Sequence, residues 1–309
     1  MDTPDNIKFC YICGVQAKPK FLFNTKDYLY GIKGRWDLVQ CEACSVMRID
    51  PILSVQELTD LYPRNYYAYS GKSEKLKNLF KHIFTPTLIV KEVKFPKPGR
   101  VLDYGCGNGK HLSQLKKKGW SCIGIEPSET AVQFGIDVYG IDILCGTSAS
   151  LKQIPDTSID YIRANHSLEH DPEIQNTLAE FSRILRQDGK VLVGIPNAGG
   201  MNFKIFNKYW WYLCAPVHVF HFNPSNFADL AGKHSFQIEE LRYKGNFTGL
   251  LLSLIIYINR HKSKIDINRN FYLKNIPLII VFQLLSVFQN IFRSGDAIEI
   301  VLSKKQRTA

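Results

Sequence analysis

Four cysteines stand as two pairs, Cys10-x-x-Cys13 and Cys41-x-x-Cys44. A Cys-x-x-Cys turn lets two thiolates reach one ion, and two such turns complete the tetrahedral four-sulfur shell of a structural zinc site. With sulfur at all four positions no place is left for a substrate, so such an ion would staple the fold; the alternative is a chance pairing of buried thiols. A second group is Asp103-Tyr104-Gly105-Cys106-Gly107-Asn108-Gly109, a strand end passing into a glycine turn. Glycine there lets the backbone touch a ligand, because any side chain would fill that space. The spacing is G-x-G-x-G; the dinucleotide fingerprint needs glycine where Lys110 stands, which disfavours a nicotinamide or flavin cofactor, and the run is not a P-loop. Glu126 follows 21 residues after Gly105, at the end of the next strand, where a carboxylate can accept both hydroxyls of a ribose. The plainer reading has the glycines packing helix on strand and Glu126 on the surface. A third group is His166 and His170, followed by His218 and His221 in the aromatic run 210–222. Histidine is the usual general base near neutral pH, although a buried, hydrogen-bonded ring with no catalytic role is an equal alternative for each.

These groups need a scaffold, and the hydrophobic pattern supplies one. Val101–Tyr104, Cys122–Glu126, Ile141–Cys145, Ile159–Arg163 and Lys190–Ile195 read as buried parallel strands. A helix starting at Asp171-Pro172 runs to about Arg186, before a turn at Asp188-Gly189. Phe236–Tyr243 and Ala297–Leu302 add two strands, giving an α/β, doubly wound, seven-stranded, mostly parallel sheet. Residues 1–50 form a small ribbon, with strands expected near Tyr28–Tyr30 and Trp36–Val39 between the cysteine pairs. Residues 51–99 form a helical linker and cap, with a short helix marked by Leu53, Leu58 and Leu61, the aromatic run Tyr66–Tyr69 and a basic amphipathic helix over 72–82. Residues 100–303 form the main domain, interrupted at about 245–295 by an apolar helical insertion.

With 309 residues, 45% hydrophobic and 22% charged, the chain is long enough for a core and close to globular composition, which excludes a disordered tail, a collagen-like fibre or a coiled coil. Eight cysteines are too few for a disulfide scaffold, and the first residues lack the pattern of a secretion signal, so a reducing, cytoplasmic setting is expected. The net charge is +11, and residues 72–118 carry twelve Lys and Arg against three acids. A basic face suits nucleic acid, an anionic membrane or a phosphorylated substrate, or is a solvated helix face. In the insertion, Leu250–Ile258 and Ile276–Phe292 are strongly apolar, flanked by Arg260, Lys262, Lys264, Arg269 and Lys274. Gln283, Ser286 and Asn290 make one narrow polar stripe on the second helix. Such helices either close as a lid or lie peripherally on the inner face of a membrane.

From residue 100 to 303 the chain resembles the class I S-adenosylmethionine-dependent methyltransferases, which have a Rossmann-like fold. The resemblance rests on Asp103–Gly109, on Gly124-Ile125-Glu126-Pro127, on Ile159-Asp160-Tyr161 followed by Asn165-His166-Ser167-Leu168-Glu169-His170, and on Arg183–Lys190. It implies S-adenosylmethionine as cofactor, with Gly105 and Gly107 at its methionine portion, Gly109 among the cofactor-binding residues, Asp103 at the amino group, Glu126 at the ribose and Asn165 near the sulfonium. Where that family offers an acid to the adenine, this chain has Gly146-Thr147-Ser148-Ala149-Ser150, so Ser148 or the backbone takes that part. The paired-Cys ribbon and Tyr62-Pro63-Arg64-Asn65-Tyr66-Tyr67 ahead of this domain resemble the zinc-ribbon methyltransferases of sugar and polysaccharide biosynthesis. That resemblance implies a small-molecule or lipid-linked saccharide acceptor. The antibiotic-sugar C-methyltransferases have a long domain after the last strand, which this sequence lacks, so O-methylation is expected, with His218 as base and His170 as alternative or partner. The competing readings are an RNA methyltransferase gripping phosphates with the ribbon and basic face, and a non-catalytic cofactor-binding scaffold. Asn165-His166-Ser167-Leu168 lacks the prolines usual in enzymes that methylate exocyclic base amines.

Overall fold

The computed structural model describes residues 8–61, 97–262 and 276–306. The Tyr62–Tyr69 stretch, the basic helix expected over 72–82, and Lys264, Arg269 and Lys274 lie outside the described residues.

The N-terminal strands are β1 (Lys8–Phe9), β2 (Gln16–Ala17), β3 (Lys20–Thr25), β4 (Trp36–Gln40) and β5 (Met47–Asp50), followed by helix α1 (Val55–Leu61). The strand expected at Tyr28–Tyr30 lies earlier in the chain, at β3. Residues 28–30 are a bend, because the buried Asp27 carboxylate accepts the N–H groups of Leu29, Tyr30 and Ile32 at 2.7–3.2 Å and coils the chain around itself. Ser54 and Glu57 form the reciprocal cap that starts α1.

The main sheet contains β6 (Arg100–Tyr104), β7 (Ser121–Glu126), β8 (Asp142–Cys145), β9 (Ile159–Asn165) and β10 (Leu185–Pro196), and, beyond the short β11 (Phe220–His221), β12 (Phe236–Lys244) and β13 (Ala297–Lys304). Their spatial order is β12-β13-β10-β9-β6-β7-β8, with β13 antiparallel to both its neighbours and the other pairings parallel. The seven-stranded, doubly wound expectation therefore holds. The Asp188-Gly189 turn is instead a bulge inside β10: Leu185 pairs with Ile159, then Lys190 with Tyr161. The preceding helix correspondingly ends at Ile184 rather than Arg186.

Helices α2 (Lys110–Lys116), α3 (Glu129–Tyr139), α4 (Ile174–Ile184), α5 (Met201–Phe206) and α6 (Pro224–Lys233) connect or follow the strands. The insertion supplies α7 (Phe247–Ile258) and α8 (Ile276–Ile291). Because both faces of the sheet are covered, Leu102, Ile162 and Val193 in β6, β9 and β10 are fully buried.

The N-terminal strands share this core. Ile12, Val46 and Leu58 belong to the same apolar cluster as the sheet. Gln175 Nε2 on α4 and Lys233 Nζ on α6 both donate to the Ile12 carbonyl, at 2.6 and 3.1 Å. The short strand β11 completes the N-terminal sheet, in the order β11-β5-β4-β3, with Phe220 opposite Arg48 and His221 opposite Met47.

Helix α8 is built inside out. Gln283, Ser286 and Gln289 are buried, while Leu284, Phe288 and Ile291 are 56–66% exposed. The polar side chains turn inward because donors and acceptors there need partners. Gln283 Oε1 accepts the N–H of Phe247 at 3.2 Å, Gln289 Nε2 donates to Asn202 Oδ1 at 2.8 Å, and Asn290 Nδ2 to the Gly245 carbonyl at 3.0 Å. Helix α7 packs its apolar side against Ile279, Tyr28, Leu29, Tyr209 and Trp211, so the insertion sits on the N-terminal bend and on the segment after β10.

Candidate active site

The turn after β6 holds Gly105, Gly107 and Gly109 at φ +73°, +54° and +71°, a left-handed run that side chains resist. A Cβ on Gly105 would sit 2.6 Å from Cβ of Ser167, so the turn lies hard against the chain leaving β9. Gly109 has a packing role: it caps α2, and a Cβ there would meet Ile143 Cδ1 at 3.0 Å. Glu126 ends β7 and folds back over the turn. Its Oε2 accepts from the Gly107 N–H at 2.9 Å and its Oε1 from the Ser128 N–H at 3.0 Å. Burial pushes its pKa up, against the pull of those two donors. Two lone pairs remain on the carboxylate for a ligand's hydroxyls.

Asp103 is 1% exposed, and both its oxygens accept from Nη1 of Arg163 at 2.9 and 3.0 Å, directly across from it on β9. Arg163 carried no assignment in the sequence; its signal was register, since Asp103 and Arg163 sit at matching positions of two strands that have to pair. The Asn165 side chain lies over Gly194 of β10, in space that a Cβ on that glycine would enter at 2.4 Å from Oδ1. Ser148 is brought to the same end of the sheet, and its hydroxyl donates to Glu173 at the start of α4.

The histidines converge. After β9 the chain turns through His166, at φ +53°, into a short helical turn at Leu168–His170. The Val219 N–H donates to the Glu169 carbonyl at 2.7 Å and brings the 214–222 loop alongside. The rings of His170 and His218 meet edge to face at 4.5 Å between centroids, and His221 lies 6.4 Å from His218. His170 Nδ1 bonds the Val217 carbonyl at 2.9 Å and His218 Nδ1 the Tyr212 carbonyl at 2.7 Å. A carbonyl only accepts, so in both rings Nδ1 carries the hydrogen and Nε2 the lone pair. Burial lowers the affinity of both rings for a proton and takes His221 down to about 3. Glu169, quoted in the motif but given no role there, is 1% exposed beside them, and its Oε1 bonds His166 Nδ1 at 3.1 Å.

The four N-terminal cysteines also come together, within 4.8 Å of one another, with Cys10–Cys44 and Cys13–Cys41 sulfurs 3.7 Å apart. Sulfurs bonded at about 2.3 Å to a tetrahedral ion lie about 3.8 Å apart, so the set fits zinc. The two turns are copies. Cys10 N–H to Val15 O and Gly14 N–H to Cys10 O are repeated as Cys41 N–H to Val46 O and Ser45 N–H to Cys41 O, with Gly14 and Ser45 both left-handed.

A glycine turn at the carboxyl end of β6, with Glu126 closing over it from β7, stands where a doubly wound sheet can receive a ligand. The family model described as a methyltransferase domain matches residues 76–241, and the chain belongs to that family. An uncharacterized methyltransferase of Bacillus subtilis is 28% identical over 112 residues, 34% of this chain and 44% of that one. Another from Oceanobacillus iheyensis is 29% identical over 128 residues, 40% of this chain and 58% of that one. The matched part thus spans about half the length of these curated relatives. Among solved structures, a complex between the Haloferax volcanii Trm112 methyltransferase activator and a methyltransferase aligns at a TM-score of 0.52 and 15% identity, over 83% of this chain and 100% of that one, a likeness of fold.

Replacing Arg163 with Met leaves Asp103 buried without its partner and is expected to lower the free energy of unfolding by about 2–4 kcal/mol, the lower half of that range being favoured by the partial exposure of Arg163. Adding Asp103→Leu should restore most of it. Urea unfolding of the single and double variants measures both; a loss under about 0.5 kcal/mol for Arg163→Met would show that the pair carries no weight.

Proposed function

We propose that the protein transfers the methyl group of S-adenosylmethionine to a hydroxyl of a saccharide acceptor. The observation that carries this reading is the pair of imidazoles, His170 half-buried and His218 buried, whose rings meet edge to face with each Nδ1 fixed on a main-chain carbonyl, His170 lying three residues after the Ser167 that packs on Gly105. A hydroxyl is a poor nucleophile until its proton starts to leave, whereas an amine or thiolate needs less help. The turn fits the cofactor. Gly105 lets the turn pack directly on Ser167, whose buried hydroxyl has no hydrogen-bond partner, and Glu126 retains acceptor capacity for a ribose. When bound, S-adenosylmethionine supplies an electrophilic methyl carbon on a positively charged sulfur. Gly105 and Gly107 line its methionine portion, Asn165 and Ser148 stand at the sulfonium and adenine ends, and Asp103, already held by Arg163, uses its remaining lone pairs for the amino group. His218, with His170 beside it, takes the acceptor's proton. Trp211 and Tyr212 offer flat surfaces on which a sugar ring stacks. Zinc held by Cys10, Cys13, Cys41 and Cys44 staples the N-terminal strands.

The reading is tested by incubating zinc-loaded protein with methyl-labelled S-adenosylmethionine and separated lipid-linked saccharide, free saccharide and RNA fractions. Label is expected in a saccharide fraction as an alkali-stable ether, and Gly105→Ala should lose at least tenfold of it, because the added Cβ collides with Ser167. Label in RNA, or in no fraction despite cofactor binding, would contradict the assignment.

A specific observation favours a membrane-borne acceptor. The outer face of α8 leaves Ile280, Val281, Leu284, Phe288 and Ile291 exposed, and Tyr257 and Ile258 at the end of α7 add to it. Residues 247–293 contain six Lys and Arg and a single acid. An apolar face edged with cations is complementary to an anionic lipid surface, into whose outer layer it inserts. Among the described residues no helix is long and apolar enough to cross a bilayer, so this contact is peripheral. Co-sedimentation with vesicles of mixed phosphatidylglycerol and phosphatidylcholine should pellet the protein at low salt. Leu284→Glu with Phe288→Glu should weaken binding at least tenfold without loss of stability, both side chains being more than half exposed. Protein left in the supernatant at low salt would overturn the contact.

A further inference from the structure

The cluster on the acceptor side has the composition of a metal site as well as that of a base. One donor atom each from Glu169, His170 and His218 lies within 4.8 Å of the others. Three donors bonded at about 2.1 Å to one ion lie about 3.0–3.6 Å apart, so side-chain adjustments of about 1 Å bring all three onto one ion. We propose that Glu169 Oε2 and the Nε2 atoms of His170 and His218 bind one divalent first-row transition cation.

Three independent features point the same way. Each imidazole has its Nδ1–H fixed on a main-chain carbonyl, Val217 for His170 and Tyr212 for His218, which orients the ring and sets the tautomer that a metal ligand needs. Glu169 is held likewise: Oε1 is tied to His166 Nδ1, while Oε2 is buried with no protein partner, a cost that an ion would remove. Finally, both ring nitrogens of His221 are buried and unpartnered next to His218, which marks the same space as shaped for a polar occupant that the protein does not itself supply. Two imidazoles and a carboxylate suit Mn2+, Fe2+, Co2+ or Zn2+ better than the hard ions Mg2+ and Ca2+, and they leave coordination positions open.

The proposal does not depend on the hydroxyl-methylation reading, and within that reading it replaces the proton-accepting role given above to His218 with that of a ligand. With the acceptor oxygen on the ion, the hydroxyl proton leaves to solvent. The oxygen lone pair forms the new O–CH3 bond, and the S–CH3 electron pair stays on sulfur, giving a neutral thioether. His170 and His218 then act as ligands and not as proton acceptors.

The test is a titration of full-length protein, its four cysteines already filled with zinc, with Co2+. One further equivalent should bind, showing ligand-field absorption in the visible but no thiolate-to-cobalt charge-transfer band. Proton NMR of that wild-type complex should contain two strongly shifted, solvent-exchangeable N–H signals, one for each imidazole with its hydrogen on Nδ1. Glu169→Gln and His218→Gln should each weaken Co2+ at least tenfold. No second equivalent, a thiolate band, or a wild-type spectrum without the two exchangeable signals would overturn the site. Co2+ binding with no methyl transfer to any acceptor would leave the ion site standing and defeat only the reaction assigned above.

Discussion

The arrangement depends on how one loop is held. Residues 214–222 carry His218 and His221 and have no regular structure of their own beyond two strand residues, yet their side chains have to keep fixed distances from the end of the sheet. They are pinned from two sides. On one, Phe220 and His221 pair with Arg48 and Met47 of the N-terminal sheet, and the Ile49 N–H donates to the Val219 carbonyl at 3.0 Å. On the other, the Val219 N–H donates to Glu169, directly after the strand that bears Asn165. A loop fixed at one edge alone would swing; fixed at both, it places two imidazoles edge to face. The loop thus joins the same N-terminal sheet that adjoins the cysteine cluster.

Electrostatics divides the labour inside the sheet. Asp103 and Arg163 neutralise each other between β6 and β9, so the charge beneath the turn is compensated before any ligand arrives. Glu126 is instead held by two main-chain N–H groups and keeps a charge without a cationic partner, which suits a group that has to receive hydroxyls. Burial lowers the affinity of His170, His218 and His221 for a proton, and both ring nitrogens of His221 are buried without a hydrogen-bond partner. These three environments lie within a few strand ends of each other, and each follows from which neighbour the pairing register supplies.

Much of this was legible in the sequence. The sheet strands are short apolar runs between turn residues, and the glycine turn announces itself by spacing, so the positions of the main-sheet strands match expectation closely. The cysteine pairs likewise signalled the cluster they form. What stayed hidden depends on contacts distant in the chain. No local pattern shows that Asp27 gathers three N–H groups and displaces a strand, that Arg163 faces Asp103, or that Glu169 joins the histidines. The polar stripe of α8 was visible, but its direction was not: Gln283 and Gln289 point inward because Phe247 and Asn202 offer partners there, and periodicity carries no information about what lies opposite. The bulge at Arg186–Gly189 was hidden for a similar reason, since a turn dipeptide inside a strand looks the same as one between elements.

The insertion has a separate character. Its inner side packs on the N-terminal bend and on Tyr209 and Trp211, so an event at its exposed face would be felt one layer away from the histidine loop. The claim joining all these parts is that the cysteine-bound strands hold the loop in place, and hydrogen exchange followed peptide by peptide tests it most directly. Comparing the zinc-loaded protein with Cys44→Ser, the account predicts faster exchange in residues 217–222 as well as in β4 and β5, with β6, β7 and β9 unchanged. Equal protection of 217–222 in the two proteins, with β4 and β5 loosened, would contradict it.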